Sequence, residues 1–276
     1  MKELESGSFL SQPSPCVWPT TLRAVSWNIN RGLQLGGVID FLRASRADLI
    51  LLQETDVNAR RTGRRNIPRE IAKALRMHYI FGREFEELSQ GTQTNPAWHG
   101  QTTLSRLPLS NARILRFHHQ SMFWHPRWYI PRWPFLQRRL GARMALICEV
   151  TLGAGRLLTY NVHLESRGSD EFRIRQLSEI LADIEQQPAD TPVLMAGDFN
   201  FNLVRGPAVS LLAGARMNHP FASFDGSRTV LRARRAKPAA IDWMLTRGAL
   251  SARHASIRDS IAASDHLPLS LELCLE

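Results

Sequence analysis

The sequence predicts an α/β protein in which two sheets form a sandwich with helices on the outside. Three observations support this fold class. Residues 22–54 read as strand, helix and strand, and several short strand-like segments follow between residues 78 and 165. In the C-terminal half, an amphipathic helix at 170–187 leads into a further strand. Chains that mix helices with many consecutive strands commonly form layered sandwiches.

The N-terminal elements follow from composition and apolar spacing. Residues 1–20 are rich in Ser and Pro without an apolar period, so we expect a loose arm. The run LRAVSWNIN at 22–30 predicts a buried strand, and GGVIDFLRASR at 36–46 predicts a helix. ADLILLQE at 47–54 is a continuous apolar run that ends in a carboxylate, and PREIAKALRMH at 68–78 opens with a proline suited to a first helical turn.

Short strands are predicted along most of the remaining chain. The helix at 170–187 interrupts them, with Phe172, Leu177 and Ile184 at helical spacing. We find no repeat of fixed period, so residues 21–276 are expected to form one domain. The predicted strands, separated by Gly, Pro and polar turns, are HYIFG, GQTTLSRLPL, NARILRFHH, ARMALICEVTL, GRLLTYNVHLE, TPVLMAGDFN, AAIDWMLTR and LPLSLELCL.

The bulk composition narrows the class of partner. A formal net charge of +10 should attract phosphate-rich partners, which include nucleic acid, an anionic membrane surface and polyphosphorylated small molecules. The three cysteines form no CxxC pair, so neither a zinc cluster nor a disulfide framework is indicated. We expect a soluble cytoplasmic protein, because no apolar run has the length of a signal peptide or a membrane span.

Several polar residues stand where an apolar strand ends, and all have side chains suited to phosphate or metal. Hydrolysis of a phosphoester requires a cation, a base that activates water, and donors around the phosphate oxygens. Glu54 and Asp265 are oxygen ligands of the kind that Mg²⁺ and Mn²⁺ prefer. The set is Asn28, Asn30, Glu54, Asn161, His163, Asp198, Asn200, Asp242, Asp265 and His266.

The segments SWNIN, LLQETD, HGQTTLSRLPL, YNVHLES, MAGDFNFN, AIDWML and SDHLPL occur in this order. Together they resemble the successive motifs of the endonuclease/exonuclease/phosphatase family, from about residue 22 to the C-terminus. That family includes deoxyribonucleases, apurinic endonucleases, neutral sphingomyelinases and inositol polyphosphate 5-phosphatases. The resemblance implies a four-layered α/β/β/α sandwich, with two mostly antiparallel sheets face to face, and hydrolysis that depends on Mg²⁺ or Mn²⁺.

The resemblance also implies a metal centre. Glu54 matches the main metal ligand, Asn28 matches the asparagine that orients it, and Asp265 matches a carboxylate at or near a second metal position. Asn30 stands where the apurinic branch has a metal-binding aspartate, so the metal is expected to bind through fewer carboxylates. Gln101 stands where many relatives have asparagine. Two interpretations are open: the glutamine alters a phosphate contact, or the difference has no effect.

Catalytic roles are implied in the same way. His266 matches the histidine that contacts the scissile phosphate or takes a proton from water, and Asp242 matches the aspartate that holds its ring. Asp198 and Asn200 match the pair that handles the water or leaving oxygen and the phosphate oxygens. His163 matches a general acid of the deoxyribonuclease and sphingomyelinase branches.

His99 and Asn161 leave two interpretations open. Either they support the site or bind phosphate, or they serve only the fold.

An insertion at 118–143 interleaves arginines with tryptophans and other aromatic residues, and three prolines interrupt any period. Three interpretations are open. The segment stacks on and grips single-stranded or distorted nucleic acid, it anchors on anionic lipid, or it is a long loop whose aromatics fold back over the sheet edge. A second basic run at 227–237 either lines the same mouth or is a solvated charge run.

The leading hypothesis is therefore a phosphodiesterase acting on nucleic acid, as an endonuclease or exonuclease. The alternatives are a sphingomyelinase-like phospholipid headgroup hydrolase, an inositol polyphosphate phosphatase, and a catalytically inactive basic module that binds nucleic acid or membrane. No protein partner is inferred. Peripheral association with an anionic membrane through 118–143 is compatible with the composition.

Overall fold

A computed structural model describes residues 3–10, 21–121, 129–131, 133–153, 155–224, 226–231, 240–259 and 261–275. The strands, numbered along the chain, are β1 (Leu4–Ser8), β2 (Thr21–Arg31), β3 (Leu49–Val57), β4 (His78–Glu86), β5 (Trp98–Ser105), β6 (Leu109–Arg116), β7 (Leu140–Gly141), β8 (Met144–Leu152), β9 (Gly155–His163), β10 (Val193–Asp198), β11 (Asp242–Arg247), β12 (Leu250–Ile257) and β13 (Leu269–Leu275). The helices are α1 (Leu35–Ser45), α2 (Ile67–Leu75), α3 (Asp170–Glu185) and α4 (Pro207–Gly214), with 3₁₀ turns at Arg60–Thr62 and Ala222–Phe224.

The strands form two sheets. The larger has the order β1-β4-β5-β3-β2-β13-β12, with β7 added beside β4, and the smaller has the order β11-β10-β9-β8-β6. All neighbours are antiparallel except the pairs β2–β3 and β9–β10. Strands β2 and β3 of the larger sheet pack on β9 and β10 of the smaller. The predicted sandwich of two mostly antiparallel sheets is confirmed.

Alternation along β2 explains the layering. Leu22 and Ala24 belong to a large buried cluster that includes residues of both sheets and of α3 and α4. Val25 and Trp27 point the other way, into a second core with α1 and α2. Because successive side chains of a strand alternate between faces, one strand supplies both cores.

Helix boundaries agree closely with the expectations. The helix predicted at 36–46 is α1, and the helix predicted at 170–187 is α3. The helix predicted at 68–78 is shorter, because α2 ends at Leu75. Arg76 adopts a left-handed backbone conformation with φ of 54°, and its N–H bonds back to the carbonyls of Ala72 and Lys73.

The expectation of a loose N-terminal arm is wrong for residues 4–8. They form β1, which pairs antiparallel with β4 from Leu4 opposite Gly82 to Ser8 opposite His78. The sequence LESGS has no apolar alternation from which this strand could be predicted. Residues 1–2 and 11–20 lie outside the described residues.

The insertion at 118–143 is described only in part, since residues 122–128 and 132 lie outside the description, as do residues 232–237 of the second basic run. Tyr129, Trp133 and Phe135 are 63%, 54% and 77% exposed. The interpretation in which the aromatics fold back over the sheet is therefore wrong for these three rings. None of the helices in the described ranges has the length and apolar character needed to cross a bilayer.

Candidate active site

Three of the predicted site residues form a row across the smaller sheet. His163 ends β9, Asp198 ends β10, and Asp242 begins β11. Asp198 is the register partner of His163 on one side and of Asp242 on the other. The row is buried, with 2–3% of each residue exposed. The end of this sheet thus carries one imidazole and two carboxylates side by side.

His266 reaches this row from the segment before β13. Its Nδ1 donates to Asp242, with the two carboxylate oxygens at 2.9 and 3.0 Å. The Trp27 indole Nε1 donates to the backbone carbonyl of His266 at 2.8 Å. The Ser264 hydroxyl donates to the Asn28 carbonyl at 2.7 Å and accepts from the His266 N–H at 3.2 Å. The larger sheet therefore fixes His266 over the row of the smaller one.

Asp198 lies at the centre of the cluster. Its Oδ2 accepts from Asn28 Nδ2 at 3.1 Å, and its Oδ1 accepts from the backbone N–H of Asn200 at 2.9 Å. The Nε2 atoms of His163 and His266 each lie 3.8 Å from the same Oδ2. Asn200 has a left-handed backbone with φ of 58°, and its Nδ2 donates to the Leu164 carbonyl at 3.1 Å.

The charge of His266 is set by its carboxylate neighbours. Burial alone would lower its pKa, but Asp242 and Asp198 outweigh that effect and raise the pKa to about 10. Burial and the nearby Asp198 raise the pKa of Asp242. His266 is therefore an imidazolium at neutral pH, and its Nε2 presents a proton to the cluster.

Glu54 and Asn30 lie together at an irregularity of the parallel pair β2–β3. The register shifts between Asn28 and Arg31, and Asn30, Arg31 and Glu54 have φ of 44°, 69° and 53°. Such bulges redirect side chains, and they are common beside active sites. Here the bulge places the Asn30 side-chain oxygen and the Glu54 carboxylate beside the same guanidinium group, which belongs to Arg31. Arg31 donates to Asn30, and its Nη2 lies 3.4 Å from Glu54 Oε2.

Glu54 is held ionised. Burial would raise its pKa, but Arg31 and the imidazoles of His99, His163 and His266 lower it well below the usual range. The Glu54 and Asn30 oxygens already converge on a cation, and they are hard donors of the kind that Mg²⁺ and Mn²⁺ accept. These two residues therefore fit the metal centre that the sequence indicates.

Asp198, Asp242 and His266 offer a second donor set, with ligand atoms within 4.8 Å of one another. Both Asp242 oxygens lie at the His266 ring, and both Asp198 oxygens accept from amides, so this set fits a metal less well. Asp265 lies next to His266 and raises its pKa, and it is in hydrogen-bonding distance of Ser264 Oγ at 3.4 Å. The described contacts bring Asp265 to His266 and not to Glu54.

His99 belongs to a second Asp–His pair. Its Nδ1 donates to Asp56 Oδ1 at 2.9 Å, and Arg61 donates to the same carboxylate through Nε and Nη2 at 2.6 and 2.9 Å. Burial would raise the pKa of Asp56, but these bonds to His99 and Arg61 lower it. His99 is buried, it is the register partner of Asp56 on β3, and it lowers the pKa of Glu54 two residues along that strand.

Two buried amides join the sheets. Asn161 on β9 donates to the Leu52 and Thr102 carbonyls at 3.1 and 3.0 Å and accepts from Gln53 Nε2 at 2.8 Å. Gln101 on β5 donates to the Met144 carbonyl at 2.9 Å and accepts from the Leu146 N–H. Both side chains are thus occupied by contacts between the sheets, which favours the structural interpretation of Asn161.

The sequence reasoning missed several supporting residues. Thr229 Oγ1 accepts from the Asp242 N–H, and the Thr229 carbonyl accepts from the Leu267 N–H, so it supports both members of the Asp242–His266 pair. Glu84 lies behind His163, with Oε2 3.6 Å from the ring Nδ1. Glu84 lies between the apolar residues of the strand-like run HYIFGREFE, and a carboxylate buried there requires a partner.

Glu84 is paired with Arg143 at 2.7 Å, and both side chains are at most 3% exposed. Burial would raise the pKa of Glu84, but Arg143 and His163 lower it to about 2. The Arg143 Nη2 also donates to Ser166 at 3.1 Å. A charged network therefore underlies the His163 end of the site.

Comparisons with known proteins agree with this arrangement. Residues 25–266 match the model of the Endonuclease/Exonuclease/phosphatase family. No curated protein matches the sequence significantly.

Many solved structures share the fold. An endonuclease/exonuclease/phosphatase of Beutenbergia cavernae has 17% identity and a TM-score of 0.67, with 92% of this chain and 72% of that chain covered. One from Bacteroides vulgatus has 15% identity and a TM-score of 0.66, with 94% and 100% covered. TDP2 of D. rerio, complexed with a single-strand DNA product, has 18% identity and a TM-score of 0.63, with 92% and 99% covered. At these identities the likeness shows the fold alone.

Proposed function

Because this chain belongs to the endonuclease/exonuclease/phosphatase family, we propose that it is a divalent-metal-dependent phosphodiesterase that acts on nucleic acid. The observation that carries the proposal is Asp198 Oδ2, flanked at 3.8 Å by the Nε2 atoms of both His163 and His266. A carboxylate between two imidazoles provides a proton acceptor and two proton donors that are close enough together to act on a single phosphate group. The formal net charge of +10 favours a polyanionic substrate.

Each residue has a role in this proposal. His266, an imidazolium, donates from Nε2 to a non-bridging phosphate oxygen, while Asp242 holds its ring. Asp198 orients the attacking water and accepts its proton, and Asn200 and Asn28 hold Asp198. His163 gives a proton to the leaving oxygen, with Glu84 behind its Nδ1.

Glu54 and Asn30 are the proposed metal-binding residues, and Asp265 is the proposed carboxylate at or near a second metal position. When bound there, Mg²⁺ or Mn²⁺ would neutralise negative charge on the phosphate. His99 supports Glu54 electrostatically from behind.

Hydrolysis of bis(p-nitrophenyl) phosphate and of plasmid DNA tests the proposal. Purified protein with Mg²⁺ or Mn²⁺ is expected to cleave both, and EDTA is expected to abolish cleavage. Glu54→Ala and His266→Ala should each reduce the rate by about 100- to 10,000-fold. The matched control for Glu54→Ala is Glu185→Ala, at the exposed end of α3. The control for His266→Ala is His254→Asn at another exposed position, where asparagine accepts the left-handed backbone with φ of 53°. Full activity in both site variants would refute the assignment.

The exposed rings of Tyr129, Trp133 and Phe135 favour one second candidate, a phospholipid headgroup phosphodiesterase. A substrate panel of single- and double-stranded DNA, RNA, abasic DNA, sphingomyelin, glycerophospholipids and inositol phosphates separates the two. Cleavage of lipid without cleavage of nucleic acid would favour the second candidate. Activity on no member would favour a non-catalytic basic binding module.

A further inference from the structure

An arginine-rich groove of about 810 Å³ opens beside the candidate active site. Among the described residues that line it, one is acidic, Glu87, and five are arginines. Three of these arginines contact carboxylates: Arg31 contacts Glu54, Arg61 contacts Asp56 and Glu87, and Arg139 contacts Glu87. The lining arginines are Arg31, Arg61, Arg138, Arg139 and Arg167.

The groove is continuous with the metal-binding candidates. Arg31 lines it and also contacts Glu54 at 3.4 Å. Arg61 lines it and holds Asp56, the partner of His99. A ligand that lies along the groove and contacts Arg31 is therefore separated from Glu54 only by the Arg31 side chain.

The guanidinium groups in and around the groove repel one another. Arg139 contacts Glu87 at 2.7 Å, with 14% of its side chain exposed. Burial lowers the pKa of Arg139, and repulsion by Arg143 and Arg61 adds to this, although Glu87 and Glu54 act in the opposite direction. Arg138 and Arg167 are exposed and extend the cationic wall towards solvent. An anion in the groove would therefore relieve repulsion among buried guanidinium groups.

The rim of the groove carries an aromatic platform. Phe135 lines the groove and stacks on Trp133, with ring centroids 5.4 Å apart and an interplanar angle of 28°. The two residues are 77% and 54% exposed, so the stacked pair faces solvent. Exposed aromatic rings beside arginines are the elements with which proteins hold unpaired bases and the phosphates between them.

We propose that this groove binds single-stranded nucleic acid next to the scissile phosphate, with Arg138 and Arg167 on flanking phosphates and a base stacked on Phe135. The inference rests on the proposed nucleic-acid hydrolysis. An unpaired strand fits better than a duplex, because a duplex hides the faces of its bases. A strand also fits better than a bilayer, because a flat surface that touched the exposed Phe135 ring would leave the largely buried Arg61 and Arg139 uncontacted.

The test is the affinity for a fluorescein-labelled oligothymidylate of about ten nucleotides, measured by anisotropy in EDTA so that no cleavage occurs. Phe135→Ala is expected to weaken binding by about 5- to 150-fold, the usual effect of losing one stacked base. Phe135→Leu should weaken it similarly, because leucine keeps the apolar surface and lacks the ring. Arg253→Ala, an exposed arginine on β12, should bind as the unmodified protein does.

Salt dependence tests the arginines. Because each phosphate contact to a single strand contributes about 0.7 to the slope of log affinity against log salt, Arg138→Ala should reduce that slope by about 0.7. The double variant Arg138→Ala/Arg167→Ala should reduce the slope further. An unlabelled DNA duplex should compete poorly with the labelled oligothymidylate for binding. An unchanged slope and an unchanged affinity in the Phe135 variants would overturn the proposal.

Two comparisons separate this proposal from the proposed function and from a lipid surface. The groove is excluded if the unmodified protein cleaves plasmid DNA but no groove variant alters oligonucleotide affinity. The proposed function fails if no phosphodiester is cleaved, while the loss of oligonucleotide binding in the variants would still support the groove. Co-sedimentation with phosphatidylcholine/phosphatidylserine vesicles that survives Phe135→Leu, without oligonucleotide binding, would assign the surface to membrane.

Discussion

His163, at the end of β9 in the smaller sheet, and His266, in the segment before β13 of the larger sheet, direct their Nε2 atoms at the same oxygen, Oδ2 of Asp198. The separation of 3.8 Å in both cases is longer than a direct hydrogen bond, and a polar contact of that length is commonly completed by an intervening oxygen. The site is therefore arranged around a position between the sheets, and small shifts of one sheet against the other should alter it.

The raised pKa of His266 predicts a pH-dependent stability. Its pKa is about 10 in the folded protein, against an ordinary value of 6.5. The stabilisation by this group is fully present below about pH 6.5 and is lost as pH rises through about 10. Asp242→Asn removes the largest electrostatic attraction on the His266 imidazolium. The free energy of unfolding should therefore fall most below pH 6.5. Its difference from that of the unmodified protein should narrow towards pH 10.

Urea unfolding and NMR titration of the histidine Cε1 signals provide the measurements. His254, with its side chain 76% exposed, serves as the internal reference. A His266 signal that titrates near 6.5 in the unmodified protein would contradict the prediction.

Gly197→Ala should disrupt the site through the backbone. Gly197 precedes Asp198 with φ of 150°, and an added Cβ would lie 1.9 Å from the Val162 carbonyl oxygen on β9. The variant should separate β10 from β9, reduce the free energy of unfolding by about 2–4 kcal/mol, and lower phosphodiester hydrolysis. The control is Gly36→Ala in α1, where a Cβ meets nothing within 4 Å. Unchanged stability of Gly197→Ala in urea would show that β10 tolerates the Cβ.

Asn161→Leu should destabilise the protein without touching the reacting groups. The substitution leaves the Leu52 and Thr102 carbonyls and one Gln53 N–H without their partner in a buried layer. We expect the free energy of unfolding to fall by at least about 3 kcal/mol, because each of the three buried orphan groups costs about 1–3 kcal/mol. Asn218→Ala, at an exposed position, should change it little. A loss below about 0.5 kcal/mol would indicate that the sheets do not depend on this amide.

Arg31→Gln should lower the metal concentration that gives half-maximal activity. Arg31 contacts the Asn30 and Glu54 oxygens, so a divalent cation must compete with its guanidinium for them. Glutamine removes the competing charge. Hydrolysis of bis(p-nitrophenyl) phosphate measured against Mg²⁺ or Mn²⁺ concentration tests this, with Arg43→Gln on α1 as control. A higher metal requirement in Arg31→Gln would mean that Arg31 assists the metal instead of competing with it.

Local patterns were sufficient for most elements, and the ordered motifs named polar residues that the fold brings close together. The polar residues at strand ends converge because β9, β10 and β11 align their ends in register, and Asn28 and Glu54 lie on adjacent strands of the other sheet. The ordered motifs could indicate these residues because each polar side chain lies within a strand or next to one.

Contacts between distant residues could not be read from local patterns. The Glu84–Arg143 pair spans 59 positions, and the contact of Trp27 with His266 spans 239. The part played by Arg31 was also missed, because its interaction with Glu54 depends on two irregular backbone conformations in neighbouring strands. Propensity and periodicity describe regular strands and give no account of such bulges.

Strand β1 has a consequence for self-association. It covers β4 at the margin of the larger sheet, and Glu5 on it accepts from Tyr79 Oη at 2.8 Å and Asn66 Nδ2 at 2.7 Å. A short outer strand that carries a charge is a poor template for another chain, whereas the nine-residue β4 would be a good one. Removal of residues 1–10 would therefore open a backbone edge through which copies of the protein pair and precipitate.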